Sequence, residues 1–184
     1  GALPPREQHP RSVRNDLIGD RRGSAAVEFA FIVPIVLALY FGMVEATQAL
    51  LANRRASAVT TAVGDLVTQQ AQVTSADVNG IFGASTAIMK PFSTDTLAIR
   101  VTSIEIDASG APKQKWTMDN GRTIPATDVT TVAPTMRTPN TAVLRAETVY
   151  EYSTPFQRML PGKFTFRHKM DLAPRAGVPI ALNP

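Results

Sequence analysis

The chain has no cysteine, and only two of its 184 residues, His9 and His168, are histidines. The missing thiols exclude a disulfide framework, a thiolate metal site and a cysteine nucleophile. Two isolated histidines are too few to build a histidine-rich metal centre. We therefore expect this protein to bind no metal through these side chains.

Strong charge is also absent, because 19 lysines and arginines face 15 acidic residues and leave a formal net charge of +4. The basic residues are spread along the sequence and form no stripe interleaved with aromatic residues. Nucleic-acid binding normally requires such a basic patch. The composition therefore predicts no nucleic-acid partner.

The sequence contains no recognisable catalytic motif. Gly80 and Gly83 lie within a predicted helix, whereas a phosphate-binding loop follows a strand and opens a helix. Asp119-Asn120-Gly121 lacks the spacing of a calcium loop and predicts a turn. His168 takes an inward position on a predicted strand, which favours a hydrogen-bonded core histidine over a catalytic base. We expect no enzyme, no catalytic residue and no cofactor, although sequence alone leaves open a hydrolase carried on a membrane anchor.

One long apolar run dominates the amino-terminal part. The sixteen residues from Phe29 to Val44 carry no charge and are bounded by Glu28 and Glu45. At a rise of 1.5 Å per residue they cover about 24 Å, less than the ~30 Å hydrocarbon core of a bilayer. A complete crossing must include residues back to Ser24, with Glu28, or residues forward to Ala52, with Glu45. A carboxylate at mid-membrane costs about 2.5–3.5 kcal/mol on insertion scales, so an acid here indicates function.

A buried helix of a soluble protein is the alternative interpretation of this run. The run is apolar on every side, which favours a membrane helix, and its Pro34 is tolerated in such helices. Glu45 is predicted to mark the far membrane interface rather than to make a contact. Residues 1–23 hold five arginines, so the positive-inside bias places this end in the cytoplasm and the carboxyl-terminal part outside.

The remaining sequence predicts an α+β domain. The first helix is expected to continue as an amphipathic stalk to about Gln70, with its apolar face at Val59, Val63 and Leu66 and with Ala62 and Val67 beside it. Thr74 and Asp77 form a capping-box pattern for a second, shorter helix that stops before Pro91. We therefore divide the chain into a basic leader (1–23), a membrane and stalk helix (24–72) and an external domain (73–184).

Several strand patterns predict a small antiparallel sheet in that domain. In "TLAIRVTSIEIDASG" the apolar positions change parity between Val101 and Ile104, which predicts a β-bulge. "KQKWTM" is its expected hairpin partner, and "TAVLRAETVYEYS" and "KFTFRHKMDLAP" predict two further strands joined by a turn that ends at Pro161-Gly162. Residues 119–140 are rich in proline and threonine and predict a long loop with at most one weak strand.

The amino-terminal motif resembles that of the TadE/TadG-like pseudopilins, minor pilin-like proteins of tight-adherence (Tad) type IV pili. The resemblance lies in Arg21-Arg22-Gly23, a four-residue spacer, Glu28-Phe29 and the apolar run with its proline, "GSAAVEFAFIVPIVLALYFGMVE". It implies a pilin-like fold: a long membrane and stalk helix, with a short helix packed on a small antiparallel sheet. The order of Trp116, Tyr150 and Tyr152 is also similar to the family.

The resemblance implies roles for four residues. A prepilin peptidase would cut between Gly23 and Ser24 on the cytoplasmic side, and Ser24 would replace the apolar first residue of major pilins. Glu28, with Phe29, would then set the register between packed helices by pairing with the α-amino group of a neighbouring subunit.

The implied partners are the peptidase, other pilins or pseudopilins and the inner-membrane Tad machinery. The implied location is the inner membrane, with a single pass, a cytoplasmic amino terminus and a periplasmic domain, and incorporation of the protein into the extracellular pilus is left open. The alternative is an unprocessed, single-pass protein whose external domain binds or senses a ligand, and such an anchor needs neither Gly23 nor Glu28.

Overall fold

The structure is a computed structural model that describes residues 21–154 and 162–183. Residues 1–20 of the expected leader, including His9, and most of the predicted turn before Gly162 lie outside these ranges. The chain divides into two compact units, Gly1–Val44 and Glu45–Pro184. The fold is α+β, with a long apolar amino-terminal helix, a short helix and a small antiparallel sheet, as the sequence predicts.

Helix α1 comprises Arg21–Thr68 and contains Pro34. It ends close to the predicted boundary at Gln70. The described residues of the first unit are almost all exposed, including large apolar side chains around the whole circumference of the helix. That distribution is the one expected of a helix whose solvent is lipid.

Within the second unit, α1 buries one stripe of its surface. Ala52, Ala56, Val59, Val63 and Val67 are fully buried at helical spacing. The prediction that Leu66 belongs to this stripe is wrong, because Leu66 is 41% exposed and Val67 is buried instead. The small alanines allow the helix to lie close to the sheet below it.

Helix α2 comprises Ser75–Thr86 and begins as the capping box predicts. The Thr74 side chain accepts a hydrogen bond from the Asp77 amide, and the Asp77 carboxylate accepts one from the Thr74 amide. A short 3-10 turn, Ala87–Met89, follows the helix before Pro91. Val78, Phe82 and Met89 are buried in the main core.

A small two-stranded parallel sheet was missed by the sequence analysis. Strand β1, Gln72–Thr74, pairs in parallel with the carboxyl-terminal strand β6, Ala181–Asn183. Both strands have only three residues, so neither contains enough alternation to predict a strand. Ile180, beside β6, accepts a hydrogen bond from the Trp116 indole at 2.8 Å through its carbonyl, which ties the tail to the main sheet.

The main sheet has four antiparallel strands in the order β3-β2-β4-β5. All four match predicted segments. Their bounds are β2 Ala98–Ile106, β3 Pro112–Asp119, β4 Thr141–Ser153 and β5 Lys163–Leu172.

The predicted β-bulge is present between Ser103 and Ile104, but the extra residue belongs to β3. Ser103 pairs with Trp116 and Ile104 pairs with Gln114, so Lys115 is the inserted residue. The pairing of β2 with β4 is regular throughout. The change of parity in β2 has another cause. Its first apolar residues face the main core, whereas Ile104 and Ile106 face a second cluster with Val132 and Val143.

The loop between β3 and β4 has no strand in its described residues, so the suggestion of a weak strand there is wrong. It contains two 3-10 turns, Val129–Thr131 and Pro134–Met136. Arg145 of β4 is fully buried and donates to the Asp128 carbonyl at 2.6 Å and to the Thr131 hydroxyl at 2.9 Å. These bonds and the burial of Val132 hold the loop on the outer face of the sheet.

Candidate processing site and membrane span

The predicted cleavage position lies at the start of α1. Gly23 and Ser24 are helical and exposed, and a Cβ atom added to Gly23 would meet no atom within 4 Å. Nothing in the described part of the chain therefore covers this peptide bond. Glycine also lowers helix stability by about 1 kcal/mol relative to alanine, which eases local unwinding at this position.

Glu28 is exposed one turn after Ser24. The Ser24 hydroxyl donates to Glu28 Oε1 at 3.3 Å, so the structure brings these two predicted residues together. The side chains on either side of the acid are apolar and exposed, Val27 by 57% and Phe29 by 68%. Phe29 makes no pair with Glu28 and extends the apolar surface of the helix.

The helix dipole offers only a weak explanation of Glu28 in the intact chain. The first turn of α1 contains no acidic residue, and Glu28 lies in the following turns. The influence of the dipole decreases within the first turn. If α1 began at Ser24, Glu28 would be its fifth residue and would lie close to the free amino terminus.

The apolar segment behind Glu28 is long and apolar enough to cross a membrane. The helix Gly23–Thr68 contains an 18-residue apolar window in which no residue is buried inside the structure. Phe31, Leu39 and Met43 are each about 70% exposed, at 72%, 68% and 70%. These properties are compatible with a membrane anchor.

Glu45 is not at the surface, where we expected it to mark the interface. It is 4% exposed, and the Tyr152 hydroxyl of β4 donates to its Oε1 at 2.9 Å. Its second oxygen, Oε2, is buried and has no hydrogen-bond partner among the described residues. Burial, together with the bond to the Glu45 carboxylate, raises the pKa of Tyr152 well above its usual value, so the phenol remains a donor.

The spacing of residues along α1 contains evidence that Glu45 is buried, which our prediction did not take into account. Glu45 precedes Ala52 by seven residues, and Ala52 precedes Val59 by seven, so Glu45 lies on the same helical face as the buried stripe. This position on the helix indicates that the Glu45 side chain is buried. Only the folded chain shows that Tyr152 is its partner.

His168 faces α1 and is hydrogen-bonded, as the strand pattern predicted, but it is half-buried and belongs to neither core cluster. Its Nε2 lies 2.9 Å from the Asn53 side-chain oxygen of α1, which is a hydrogen-bond distance. Burial lowers the pKa of His168 below its usual value and favours the neutral ring. Among residues 21–154 and 162–183, no three His, Cys, Asp or Glu side chains are grouped so that they could hold a metal ion.

Open clefts lie on the second unit. A cleft of about 210 Å³ is bounded by Ile124–Ala126 and by the middle of β4 and β5, where Glu147, Arg167 and Lys169 supply charge. A cleft of about 400 Å³ lies between Gln48, residues 91–96 and the end of β4. In the second cleft the Ser93 hydroxyl donates to Asp95 Oδ2 at 2.7 Å.

Comparison with known families finds a relationship for part of α1. Residues 23–65 match the family described as TadE-like protein, which confirms the resemblance over 43 of the 184 residues. The matched segment contains Gly23, Ser24, Glu28 and Phe29, all of the apolar run and most of the buried stripe of α1. No curated protein and no solved structure matches the chain.

Proposed function

We propose that this chain, a TadE-like protein over residues 23–65, is a pseudopilin that is processed between Gly23 and Ser24 and then serves as a structural subunit in assembly of a Tad pilus. One observation carries the proposal: the carboxylate of Glu28 stands on an exposed apolar helix with Ser24 as its contact. A plain membrane anchor has no use for such an acid, which makes insertion more costly.

Processing would change the surroundings of Glu28. In the intact chain the Ser24 amide is part of the helix, and removal of residues 1–23 would convert it to a charged amino group. The acid would then be the fifth residue of the mature helix, about one turn from the free amino group, and a negative charge is favoured near that end. The exposed backbone at Gly23 is accessible to the peptidase that this step requires.

Between subunits, the same acid would act as a register device. A carboxylate in an apolar environment is stabilised by a cation at short distance, and the amino terminus of a neighbouring processed subunit supplies one. A helix shifted along its neighbour would leave the charge unpaired, so incorrect registers are disfavoured. Phe29 and the other exposed apolar residues would pack against the neighbouring helices.

The proposed partners are a prepilin peptidase, other pilins or pseudopilins that contact α1, and the inner-membrane Tad machinery. The amino terminus would be cytoplasmic and the second unit periplasmic. The processed chain would also be incorporated into the extracellular filament. Its function is structural, so the proposed role involves neither catalysis nor a cofactor.

Assembly in cells that carry a Tad system tests this function. We would purify the tagged chain after crosslinking in the membrane and identify the pilins recovered with it. Glu28→Leu should still insert into the membrane but should recover pilins at least tenfold less well, because the register contact is lost. Asp65→Asn is the matched control, since Asp65 is an exposed acid on the same helix. Equal recovery of pilins by Glu28→Leu and the native chain would contradict the register role and favour an anchored binding module.

A further inference from the structure

The two outer strands of the main sheet differ in how their free edges are protected. The strand order β3-β2-β4-β5 leaves β3 and β5 with one unpaired edge each among the described residues. Strand β3 begins at Pro112 and contains the inserted Lys115, and both a proline and a bulge hinder the addition of another strand. Strand β5 contains no proline and pairs with β4 in regular register over Lys163–Leu172. Its outer edge is therefore uninterrupted.

The outer edge of β5 has backbone groups that are free to bind. In a strand, the amide and carbonyl groups of every second residue point away from the neighbouring strand. Apart from the pairing with β4, residues 163–172 make no backbone hydrogen bond to any described backbone group. Such donors and acceptors can pair with a further extended segment, which is the recognition mode called β-augmentation.

The apolar side chains of β5 are incompletely covered by the rest of the second unit. None of the described residues 163–172 is buried, whereas most residues of the neighbouring strand β4 are. Phe164 is 48% exposed, and Phe166, Met170 and Leu172 on the same face are half-buried. Covering apolar surface is favourable, so a strand added beside this row would gain from apolar side chains of its own.

The opposite face of β5 is basic. Arg167 and Lys169 are exposed, and neither forms an ion pair with any residue in the described part of the chain. The other charged residues on this face, Lys163 and Asp171, are already paired with residues of β4. Two positive charges near the middle of the strand are therefore available to a partner.

The sign of these charges disfavours a second copy of the same edge as that partner. When two identical antiparallel strands pair about a two-fold axis, the central registers place Arg167 opposite Arg167 or opposite Lys169 of the other copy. Like charges directly opposite each other are destabilising. Charged side chains on an edge hinder pairing with most strands, but acidic side chains opposite Arg167 and Lys169 would convert the repulsion into attraction.

We propose that the free edge of β5 binds an extended segment of another protein, whose side chains alternate between acidic on the Arg167 face and apolar on the Phe164 face. Backbone hydrogen bonds along residues 163–172 would supply affinity, and the two cations would select an acidic segment. The inference depends neither on processing at Gly23 nor on membrane anchoring, because β5 lies within the second unit.

A synthetic peptide tests this edge in the full chain purified in detergent. The probe is a fluorescein-labelled peptide that matches the 10 residues of β5 in length and alternates glutamate with valine, and the control peptide alternates lysine with valine. By fluorescence anisotropy, the glutamate peptide should bind at least tenfold more tightly. Its binding should slow hydrogen exchange in residues 163–172, measured by mass spectrometry, and leave exchange in β3 unchanged.

A charge-matched pair of variants locates the attraction. Arg167→Gln with Lys169→Gln should weaken binding of the glutamate peptide at least tenfold. Lys113→Gln with Lys115→Gln removes the same charge from exposed positions of β3 and should weaken binding less than twofold.

Four results would each overturn the inference. They are no detectable binding of the glutamate peptide, equal binding of the two peptides, binding without slower exchange in residues 163–172, and equal losses in the two double variants. None of these results would affect the proposed function, which is tested separately by the recovery of pilins.

Discussion

Tyr152 of β4 and Glu45 of α1 form a buried hydrogen bond of 2.9 Å across 107 positions of sequence. The bond joins the helix to the sheet where the second unit begins. The Glu45 carboxylate therefore lies between the helix and the sheet and is not exposed on the outer surface of α1. Tyr152 therefore fixes one point at which α1 packs against the sheet.

Removing the Tyr152 hydroxyl should destabilise the second unit. Tyr152→Phe would leave both oxygens of a buried carboxylate without a donor, at a cost of about 1–3 kcal/mol. The matched control is Tyr150→Phe, which removes a 3.0 Å bond to the neutral Ser93 carbonyl and should cost less. Unfolding in detergent can be followed through the fluorescence of Trp116, the single tryptophan. Equal losses in the two variants would contradict a special role for Tyr152.

Breaking the Arg145–Asp171 pair should have a larger effect. Arg145 is fully buried and donates to both carboxylate oxygens of Asp171, at 2.6 and 2.8 Å. Arg145→Met should cost about 3–5 kcal/mol, because Asp171 loses its partner and the loop loses its donors. Lys163→Met, which breaks an exposed pair with Glu151, should cost less than about 1 kcal/mol. The same fluorescence measurement compares them, and similar losses would show that burial of the Arg145 pair has no energetic consequence.

Acid should weaken the second unit through His168. Burial lowers its folded pKa, so below about pH 6.5 the unfolded chain takes up a proton that the folded chain resists. The stability that neutral His168 contributes is present above that pH and is lost as the pH falls through the folded pKa. Between pH 7.5 and 5, His168→Gln should therefore lose less stability than the native chain. An unchanged pH dependence in this variant would contradict the assignment.

Close packing between α1 and the sheet should make Gly64 sensitive to substitution. A Cβ at Gly64 would lie 2.6 Å from Leu172 Cδ1 and 3.3 Å from Ala146 Cβ. Gly64→Ala should destabilise by about 1–3 kcal/mol through overpacking. Gly80→Ala, in α2 with open space around it, should instead stabilise by about 0.5–1 kcal/mol. A stabilised Gly64→Ala variant would show that the contact is looser than described.

Local patterns predicted most of the secondary structure. The Thr74–Asp77 cap, the strand pattern of β4 and β5, and the apolar run of α1 each depend on residues close in sequence. The bulge position was also predicted, but the reason differed, because the apolar residues of β2 serve cores on opposite faces of the sheet. A short segment of one strand cannot show which face its neighbours will cover.

The contacts that the sequence could not predict join distant segments. Glu45 meets Tyr152, Arg145 meets Asp171, and β1 pairs with the tail strand β6. Each depends on how the sheet and helix are arranged, and none changes the local periodicity. The candidate processing motif was the opposite case, since Gly23, Ser24 and Glu28 lie within six positions and were all visible in the sequence.

The identity of the first residue of the chain in membranes tests the central claim most directly. We would express the full chain with and without its cognate prepilin peptidase and determine the intact mass and the first residue. The account predicts a chain that begins at Ser24 only when the peptidase is present, and no cleavage in Gly23→Ala. A chain that keeps its leader under both conditions would contradict processing and would leave a membrane-anchored domain that is not a pseudopilin.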